Sequence, residues 1–163
     1  MALRKHRAGE LVVEQTRDLG RVRAMLAPAG MIADGIEWPA ACYIVAYVGD
    51  EAAGVIGVES KIDAALLRSL YVNGSMRGRG IGAALVAAAR KAAHTRGARH
   101  LFLFTNDAGG FFSHLGFQLA DIASVMSTLA GAPLVEFYRA RPAELAREVA
   151  YHLDISGDGV IER

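Results

Sequence analysis

Residues 66–97 read LLRSLYVNGSMRGRGIGAALVAAARKAAHTRG, and they carry the clearest structural signals of the sequence. Its first seven residues form a short apolar run that ends at the turn pair Asn73-Gly74, a pattern typical of a buried strand. From Ile81 onward the apolar residues follow helical spacing, and Gly97 is a suitable C-cap. The stretch therefore predicts a strand, a short loop and a helix in succession.

The loop between this strand and this helix is rich in glycine and arginine. Gly78, Gly80 and Gly82 remove side chains at the point where the helix begins. The first N–H groups of a helix lack intrahelical partners and carry partial positive charge, so a phosphate can approach them closely. Arg77 and Arg79 add guanidinium donors suited to phosphate oxygens. The loop therefore predicts a pyrophosphate site.

Two common phosphate-binding loops do not match this sequence. A P-loop ends in Gly-Lys-Ser/Thr, whereas this loop continues as Gly80-Ile81-Gly82-Ala83. A dinucleotide fingerprint needs an acidic residue about 20 positions further on. Residues 98–104 contain none. Both interpretations are disfavoured, although another nucleotide-binding α/β protein with a similar loop stays an alternative.

A third pattern, Arg/Gln-x-x-Gly-x-Gly/Ala, is met by Arg77-Gly78-Arg79-Gly80-Ile81-Gly82. This loop resembles the acetyl-coenzyme A loop of the GNAT acyltransferase superfamily, and Leu70-Tyr71-Val72 resembles the family's fourth strand. The resemblance implies an α/β domain whose mixed, mostly antiparallel sheet is splayed between strands 4 and 5. It also implies that Leu70, Tyr71 and Val72 bind the pantetheine arm of acetyl-coenzyme A through backbone groups, while residues 77–82 bind its pyrophosphate.

A second signature lies in residues 105–117, TNDAGGFFSHLGF, which resemble the GNAT segment Asn-x-x-Ala-x-x-Phe-Tyr-x-x-x-Gly-Phe. The resemblance places Thr105, Asn106, Phe111 and Phe112 on the opposite wall of the cofactor site. The family's tyrosine, which often protonates the departing thiolate, falls on Phe112, and a phenyl ring has no ionisable proton. Another group or water must supply that proton, or the protein binds the cofactor without efficient turnover.

The acid and the base of the reaction have only weak candidates. His114 is the candidate acid, although helical spacing puts it about 200° round from Phe112. A base is expected because an ammonium acceptor must lose its proton before it attacks the thioester. The family's early strand-4 glutamate falls on Leu66. Glu59 is therefore the first candidate base and Asp63 the second, with proton relay through water as the alternative.

Three residues are candidates for contacts with the acceptor. Arg68 lies in an otherwise apolar strand, where a charge needs a partner or a cleft. It can bind a substrate carboxylate through its fork, or it can form an ion pair with Glu59 or Asp63. Met31 and Trp38 lie in the segment that commonly shapes the acceptor pocket of GNAT enzymes, where core packing is the alternative.

A narrower resemblance adds to these expectations. Gly35-Ile36-Glu37, residues 63–70, the glycine loop and residues 108–112 together resemble a GNAT branch associated with arsenic-resistance operons. The resemblance implies an N-acetyltransferase that moves an acetyl group from acetyl-coenzyme A to a small, amino-acid-like amine, by direct attack in a ternary complex. The rival hypothesis is a non-catalytic acetyl-coenzyme A sensor or interaction module.

Composition sets the outer limits. The chain has 163 residues, a formal net charge of +1 and one cysteine, Cys42. Such a charge gives no reason to expect nucleic acid, and one cysteine excludes an internal disulfide and a multi-cysteine metal site. No apolar run approaches the length of a membrane span, so a cytoplasmic enzyme without a resident metal is expected.

The rest of the chain alternates strands and helices in one domain over residues 1–163, with a core at about 10–140. Strands are predicted at 10–15, 42–48, 52–59, 99–105, 117–119 and 134–140. Helices are predicted after the cap Thr16, at 108–115 and at about 142–153, while 122–129 fits either structure. The last helix is also a candidate dimer contact. Residues 1–9 are expected to form a loose lead, and residues 154–163 a frayed tail.

Overall fold

The computed structural model describes residues 6–159, which form one seven-stranded sheet with helices packed around it. The strands are β1 (Leu11–Thr16), β2 (Ala41–Val48), β3 (Glu51–Ser60), β4 (Ala64–Val72), β5 (His100–Thr105), β6 (Gln118–Ala120) and β7 (Val149–Asp154). The helices are α1 (Leu19–Leu26), α2 (Ile81–Thr95), α3 (Gly109–His114), α4 (Ile122–Thr128), α5 (Pro133–Arg139) and α6 (Pro142–Leu145). Short 3₁₀ turns follow α1 and β4.

The sheet confirms the predicted α/β architecture. Its strand order is β1-β2-β3-β4-β5-β7-β6, and all neighbours pair antiparallel except β4 and β5, which are parallel. A parallel pair needs a crossover connection, and α2 supplies it. The strand, loop and helix predicted from residues 66–97 are therefore the crossover unit at the centre of the sheet.

The sheet splays open between β4 and β5. Residues 64–67 pair with residues 100–103, and within residues 6–159 the pairing of these two strands goes no further. A bulge in β4 accompanies the separation, because Arg68 pairs with Gly57 but Tyr71 pairs with Val55. Ser69 in the bulge has φ 61°, an uncommon value for a residue with a side chain. Because a bulge bends its strand, the far end of β4 is free to leave β5.

Helix α2 covers one face of the sheet with a narrow apolar side. Its buried positions are Ile81, Leu85, Val86, Ala89, Ala92 and Ala93. The helix predicted from the apolar spacing is confirmed, and its small alanines let it lie close to the strands. Helices α4 and α5 cover the opposite face, where they bury Leu66 of β4 and Ala150 of β7.

Two predictions for the C-terminal part are wrong. Residues 134–140 were expected as a strand, but Pro133 opens helix α5, in which Leu134 and Tyr138 are buried one turn apart. The helix expected at about 142–153 is a single turn, α6, followed by β7. Strand β7 inserts between β5 and β6, and its six-residue register with β5 stabilises the extended form. Such distant pairing overrides local helical preference.

Smaller differences concern caps and chain ends. Asp18, not Thr16, caps α1 by accepting a hydrogen bond from the Arg21 amide at 3.0 Å. Residues 122–129, which fitted either structure, contain helix α4. The tail was expected to fray from residue 154, yet Ile155 is fully buried and donates its amide to the Arg99 carbonyl at 2.8 Å. The first five residues of the predicted lead and the last four of the tail lie outside the described residues.

Candidate active site

A cavity of about 280 Å³ opens where β4 and β5 separate. One wall is β4 from Leu67 to Leu70, and the opposite wall runs from Leu103 to Ala108. The rest of the lining comes from Phe112 of α3, Ile56 of β3, the segment from Gly30 to Ile32 before β2, and Leu134, Tyr138 and Glu148. The cavity thus joins the predicted cofactor walls to chain segments that lie far away in the sequence.

The glycine loop leads into α2, and none of residues 77–82 belongs to the cavity lining. Gly80 is the N-cap residue with φ 78°, and Gly78 has the same φ, a left-handed conformation that favours glycine at both positions. A Cβ on either residue would meet nothing within 4 Å, so the backbone faces open space. A Cβ on Gly82 would lie 3.3 Å from the Phe111 ring and 3.9 Å from Val72, and Phe111 packs in turn against the lining residue Phe112.

The two arginines of the loop differ in their contacts. Arg77 donates from Nε to the Val72 carbonyl at 3.2 Å, which ties the loop to the end of β4. Arg79 is exposed and forms no side-chain hydrogen bond or ion pair within residues 6–159. Together with the first amides of a 15-residue helix, they create a positively charged end suited to an anion.

The wall that carries the second signature is preorganised by local contacts. Thr105 accepts a hydrogen bond at Oγ1 from the Ala108 amide at 3.0 Å, which shapes the turn into α3. Phe112 is buried and packs edge-on against Phe111 and Phe117 at centroid distances of 5.0 and 5.6 Å. Asn106 is exposed at the rim of the cavity. All the wall residues predicted from this signature therefore lie at or beside the cavity.

Glu59 and Arg68 form a buried ion pair at 2.9 Å, the alternative that the sequence left open for Arg68. Arg68 also donates to the carbonyls of Asp34 and Ile32 and to Ser69 Oγ. Glu59 accepts a second hydrogen bond, from the Leu134 amide at 3.1 Å. Burial raises the pKa of Glu59, and the charge of Arg68 opposes that rise. Both side chains thus tie β3 and β4 to their neighbours.

The other predicted residues are spread more widely. Met31 lines the cavity, whereas Trp38 packs into the cluster beneath α4 and α5. His114 is exposed at the end of α3 and lies outside the cavity lining. Asp63 is exposed in the turn before β4 and also lies outside that lining. The structure therefore brings Met31 and Arg68 to the cavity but not Trp38, His114 or Asp63.

Sequence reasoning missed Tyr138 and Glu148. The Tyr138 hydroxyl donates to Glu148 Oε1 at 3.0 Å, and both side chains line the cavity. Burial raises the pKa of Glu148, and the nearby carboxylate of Asp107 raises it further. Burial and the charge of Glu148 likewise raise the pKa of Tyr138. The pair was missed because residues 134–140 were predicted as a strand and residues 142–153 as a helix. The spacing of Leu134 and Tyr138, four residues apart, was the signal that could have indicated a helix.

Residues 39–119 match the family model for the acetyltransferase (GNAT) domain. The chain therefore carries an acetyltransferase domain of the GNAT class, in agreement with the resemblance of the glycine loop. No curated protein matches the chain by sequence.

Solved structures of the same fold include several that hold coenzyme A. N-acetylglutamate synthase from Neisseria gonorrhoeae, complexed with coenzyme A and N-acetylglutamate, superposes with a TM-score of 0.67 at 18% identity. The match covers 89% of this chain but only 35% of that enzyme, so this chain corresponds to about a third of it.

Two further structures match over nearly their whole length. A protein of Mycobacterium tuberculosis, in complex with coenzyme A and a second ligand, has a TM-score of 0.65 at 17% identity, over 88% of this chain and 98% of that one. A Bacillus subtilis acetyltransferase in complex with coenzyme A has a TM-score of 0.62 at 17% identity, over 89% and 99%. At these identities the comparisons establish the fold. Within residues 6–159, no helix is long and apolar enough to cross a membrane.

Proposed function

We propose that this chain is an N-acetyltransferase that moves the acetyl group of acetyl-coenzyme A to the amine of a small acceptor in a ternary complex. The proposal rests on the cavity between β4 and β5, with the glycine loop before α2 reaching its lining residue Phe112 through Phe111. The GNAT domain match and the coenzyme A held by solved structures of the same fold support it.

In this proposal acetyl-coenzyme A lies along the loop and enters the cavity with its thioester. Residues 77–82 hold the pyrophosphate through the amides of α2 and the Arg77 and Arg79 side chains. The backbone of Leu70, Tyr71 and Val72, freed from β5 by the splay, binds the pantetheine arm. Thr105, Asn106, Phe111 and Phe112 form the other wall.

The chemistry requires little more than positioning. A neutral amine attacks the thioester carbonyl carbon, the tetrahedral intermediate breaks its C–S bond, and the thiolate leaves with the electron pair and then takes up a proton. Phe112 cannot supply that proton. His114, from its exposed position, would supply it only through water. Glu59 can act as a base only by releasing Arg68 or the Leu134 amide.

The acceptor is proposed as a small amine, with Met31 on the acceptor wall and Trp38 behind it. An amino-acid-like acceptor would use Arg68, which lines the cavity but would have to exchange a carbonyl partner for the substrate carboxylate. Membership of the branch associated with arsenic-resistance operons, a cytoplasmic location, a homodimer and the absence of a nucleic-acid partner belong to the same proposal.

Release of free thiol from acetyl-coenzyme A over a panel of small amines tests the proposal. We expect turnover that depends on the amine and a mass increase of one acetyl group on the acceptor. Binding of acetyl-coenzyme A without turnover of any amine would instead favour the sensor, which the loss of the family tyrosine at Phe112 already supports.

A further inference from the structure

The cavity lining carries two carboxylates, Glu148 at the acceptor end and Asp107 at the rim. The one cationic side chain of the lining within residues 6–159 is Arg68, and its guanidinium is engaged by Glu59, Ser69 and two carbonyls. Glu148 forms no ion pair in the same part of the chain. The Glu148 carboxylate is therefore uncompensated in a lining that mixes apolar and polar side chains.

Glu148 is also held in a defined orientation. Its Oε1 accepts the hydrogen bond of the Tyr138 hydroxyl at 3.0 Å, and Asn106 Nδ2 lies 3.5 Å away. Tyr138 itself is fixed because it is nearly buried and packs edge-on against Phe104 at 5.4 Å. Within the described residues, Glu148 Oε2 has no hydrogen-bond partner, so one oxygen stays available to a ligand.

We propose that Glu148 binds the ammonium of the acceptor and accepts its proton, with Tyr138 as the residue that positions the carboxylate. This inference rests on the proposed acyl transfer and names its acceptor class: small amines that carry no carboxylate near the reacting nitrogen. Such a carboxylate would face Glu148, and the rim residue Asp107 would add to the repulsion.

The acceptor ammonium loses two protons during the reaction, one to Glu148 and one to the departing thiolate. The ammonium gives one proton to Glu148, and the neutral nitrogen attacks the thioester carbon. The C–S bond breaks, coenzyme A leaves as thiolate, and the second nitrogen proton reaches it through water, which gives the amide and free coenzyme A. Glu148 then releases its proton to solvent. Because burial raises the pKa of Glu148, it takes up a proton more readily than an exposed carboxylate.

Matched acceptor pairs test the acceptor class on the unmodified protein. Phenylethylamine against phenylalanine, and putrescine against ornithine, differ only in the α-carboxylate. We expect kcat/KM at least tenfold higher for the member without the carboxylate. Equal or faster acetylation of the amino acids would overturn this inference while leaving the proposed acetyltransferase intact. Transfer to no amine at all would overturn both.

Two variants test the role of Glu148 directly. Glu148→Gln should lower kcat/KM for phenylethylamine about 100-fold, while the affinity for acetyl-coenzyme A stays unchanged. Tyr138→Phe, which keeps the ring, should lower it less and mainly through KM. Glu51→Gln is the matched control, because Glu51 is exposed at the start of β3 and lies outside the cavity lining. Wild-type kcat/KM in Glu148→Gln would overturn the assignment.

The pH profile separates a base from a purely structural residue. The titratable groups that face Glu148 are Tyr138 of α5 and Asp107 before α3, while Glu144 of α6 faces Tyr138. Wild-type kcat/KM should fall as the pH drops through the titration of Glu148, and Glu148→Gln should lose that acidic limb. An acidic limb that persists in the variant would contradict proton transfer to Glu148.

Discussion

The two ends of the cavity are built in different ways. The cofactor end comes from one continuous stretch, β4, the glycine loop and α2, together with the turn that leads into α3. The proposed acceptor end is assembled from Met31 before β2 and from Tyr138 of α5 and Glu148 before β7, more than a hundred residues further along the chain. One end is therefore specified by local chain geometry, and the other depends on tertiary packing.

This difference shows in what holds each end together. The cofactor end relies on backbone conformation, namely left-handed glycines and a helix N-terminus, and its arginines are exposed. The acceptor end relies on buried polar contacts, in which Glu59 joins β3 to Arg68 and to the first turn of α5. We therefore expect substitutions in the loop to affect binding more than folding, and substitutions in the buried pair to affect folding more than binding.

The largest effect on stability is expected from Arg68→Ala. Removing one member of a buried ion pair leaves the other charge uncompensated, which costs about 3–5 kcal/mol of unfolding free energy. Urea denaturation followed by circular dichroism measures this loss. Glu59→Leu/Arg68→Met should recover much of it, because neither charge is then left buried alone. A loss below about 1 kcal/mol for Arg68→Ala, the range of an exposed pair, would mean that the pair is not structural.

The next effect is on cofactor binding. Arg77→Glu/Arg79→Glu should weaken acetyl-coenzyme A binding about 100-fold, since two charge-assisted contacts of about 1.5 kcal/mol each are lost. Arg17→Glu/Arg99→Glu is the matched control, with the same change in net charge at exposed arginines away from the loop. Equal weakening in both variants would show that the effect comes from overall charge and not from the loop.

A smaller effect tests the missing acid. Phe112→Tyr restores a hydroxyl in the cavity wall and should raise kcat by up to about tenfold, if protonation of the thiolate limits turnover. Initial-rate assays at saturating acetyl-coenzyme A measure this change. Phe111→Tyr, on the neighbouring and partly exposed ring, should leave kcat unchanged. An unchanged kcat in Phe112→Tyr would assign the proton to water.

The smallest effect on stability is expected where Asp158 contacts α2. Asp158 forms an ion pair with Arg90, and the hydrogen bonds from Arg90 lower the pKa of Asp158. A lowered folded-state pKa gives stability that is present above the unfolded-state pKa and is lost as the pH falls through the folded-state value. Asp158→Asn should therefore cost about 1 kcal/mol or less at pH 7.

Thermal unfolding at several pH values tests this assignment. At a pH below the folded-state pKa, the melting temperatures of Asp158→Asn and the wild type should converge. Asp63→Asn, at an exposed aspartate without an ion pair within residues 6–159, should change little at either pH. A difference for Asp158→Asn that stays constant with pH would exclude the ion pair as its cause.

The same contrast explains which features could be predicted from the sequence. The order from β1 to α3 follows from local signals, and the observed bounds lie within one or two residues of the predicted ones for every strand from β1 to β5. Residues 149–154 lie mostly within the stretch predicted to be a helix, but they form a strand that pairs with β5, more than 40 residues away. No local pattern encodes that pairing, so Tyr138 and Glu148 could not be placed together.

For Arg68 the need for a partner could be predicted from the sequence, but the full set of partners could not. A charge in an apolar strand predicted a partner, and Glu59 was among the candidates. Its carbonyl partners Asp34 and Ile32, however, lie in an irregular segment whose course depends on packing. Local reasoning therefore identified the residues that need explanation but not the contacts that satisfy them.

Both proposals require that the splayed sheet and the glycine loop bind acetyl-coenzyme A. Calorimetric titration of the folded protein with acetyl-coenzyme A, with NAD and ATP as competitors, tests it most directly. We expect micromolar, one-to-one binding that NAD and ATP do not displace. Absence of binding, or displacement by NAD or ATP at comparable concentration, would contradict it.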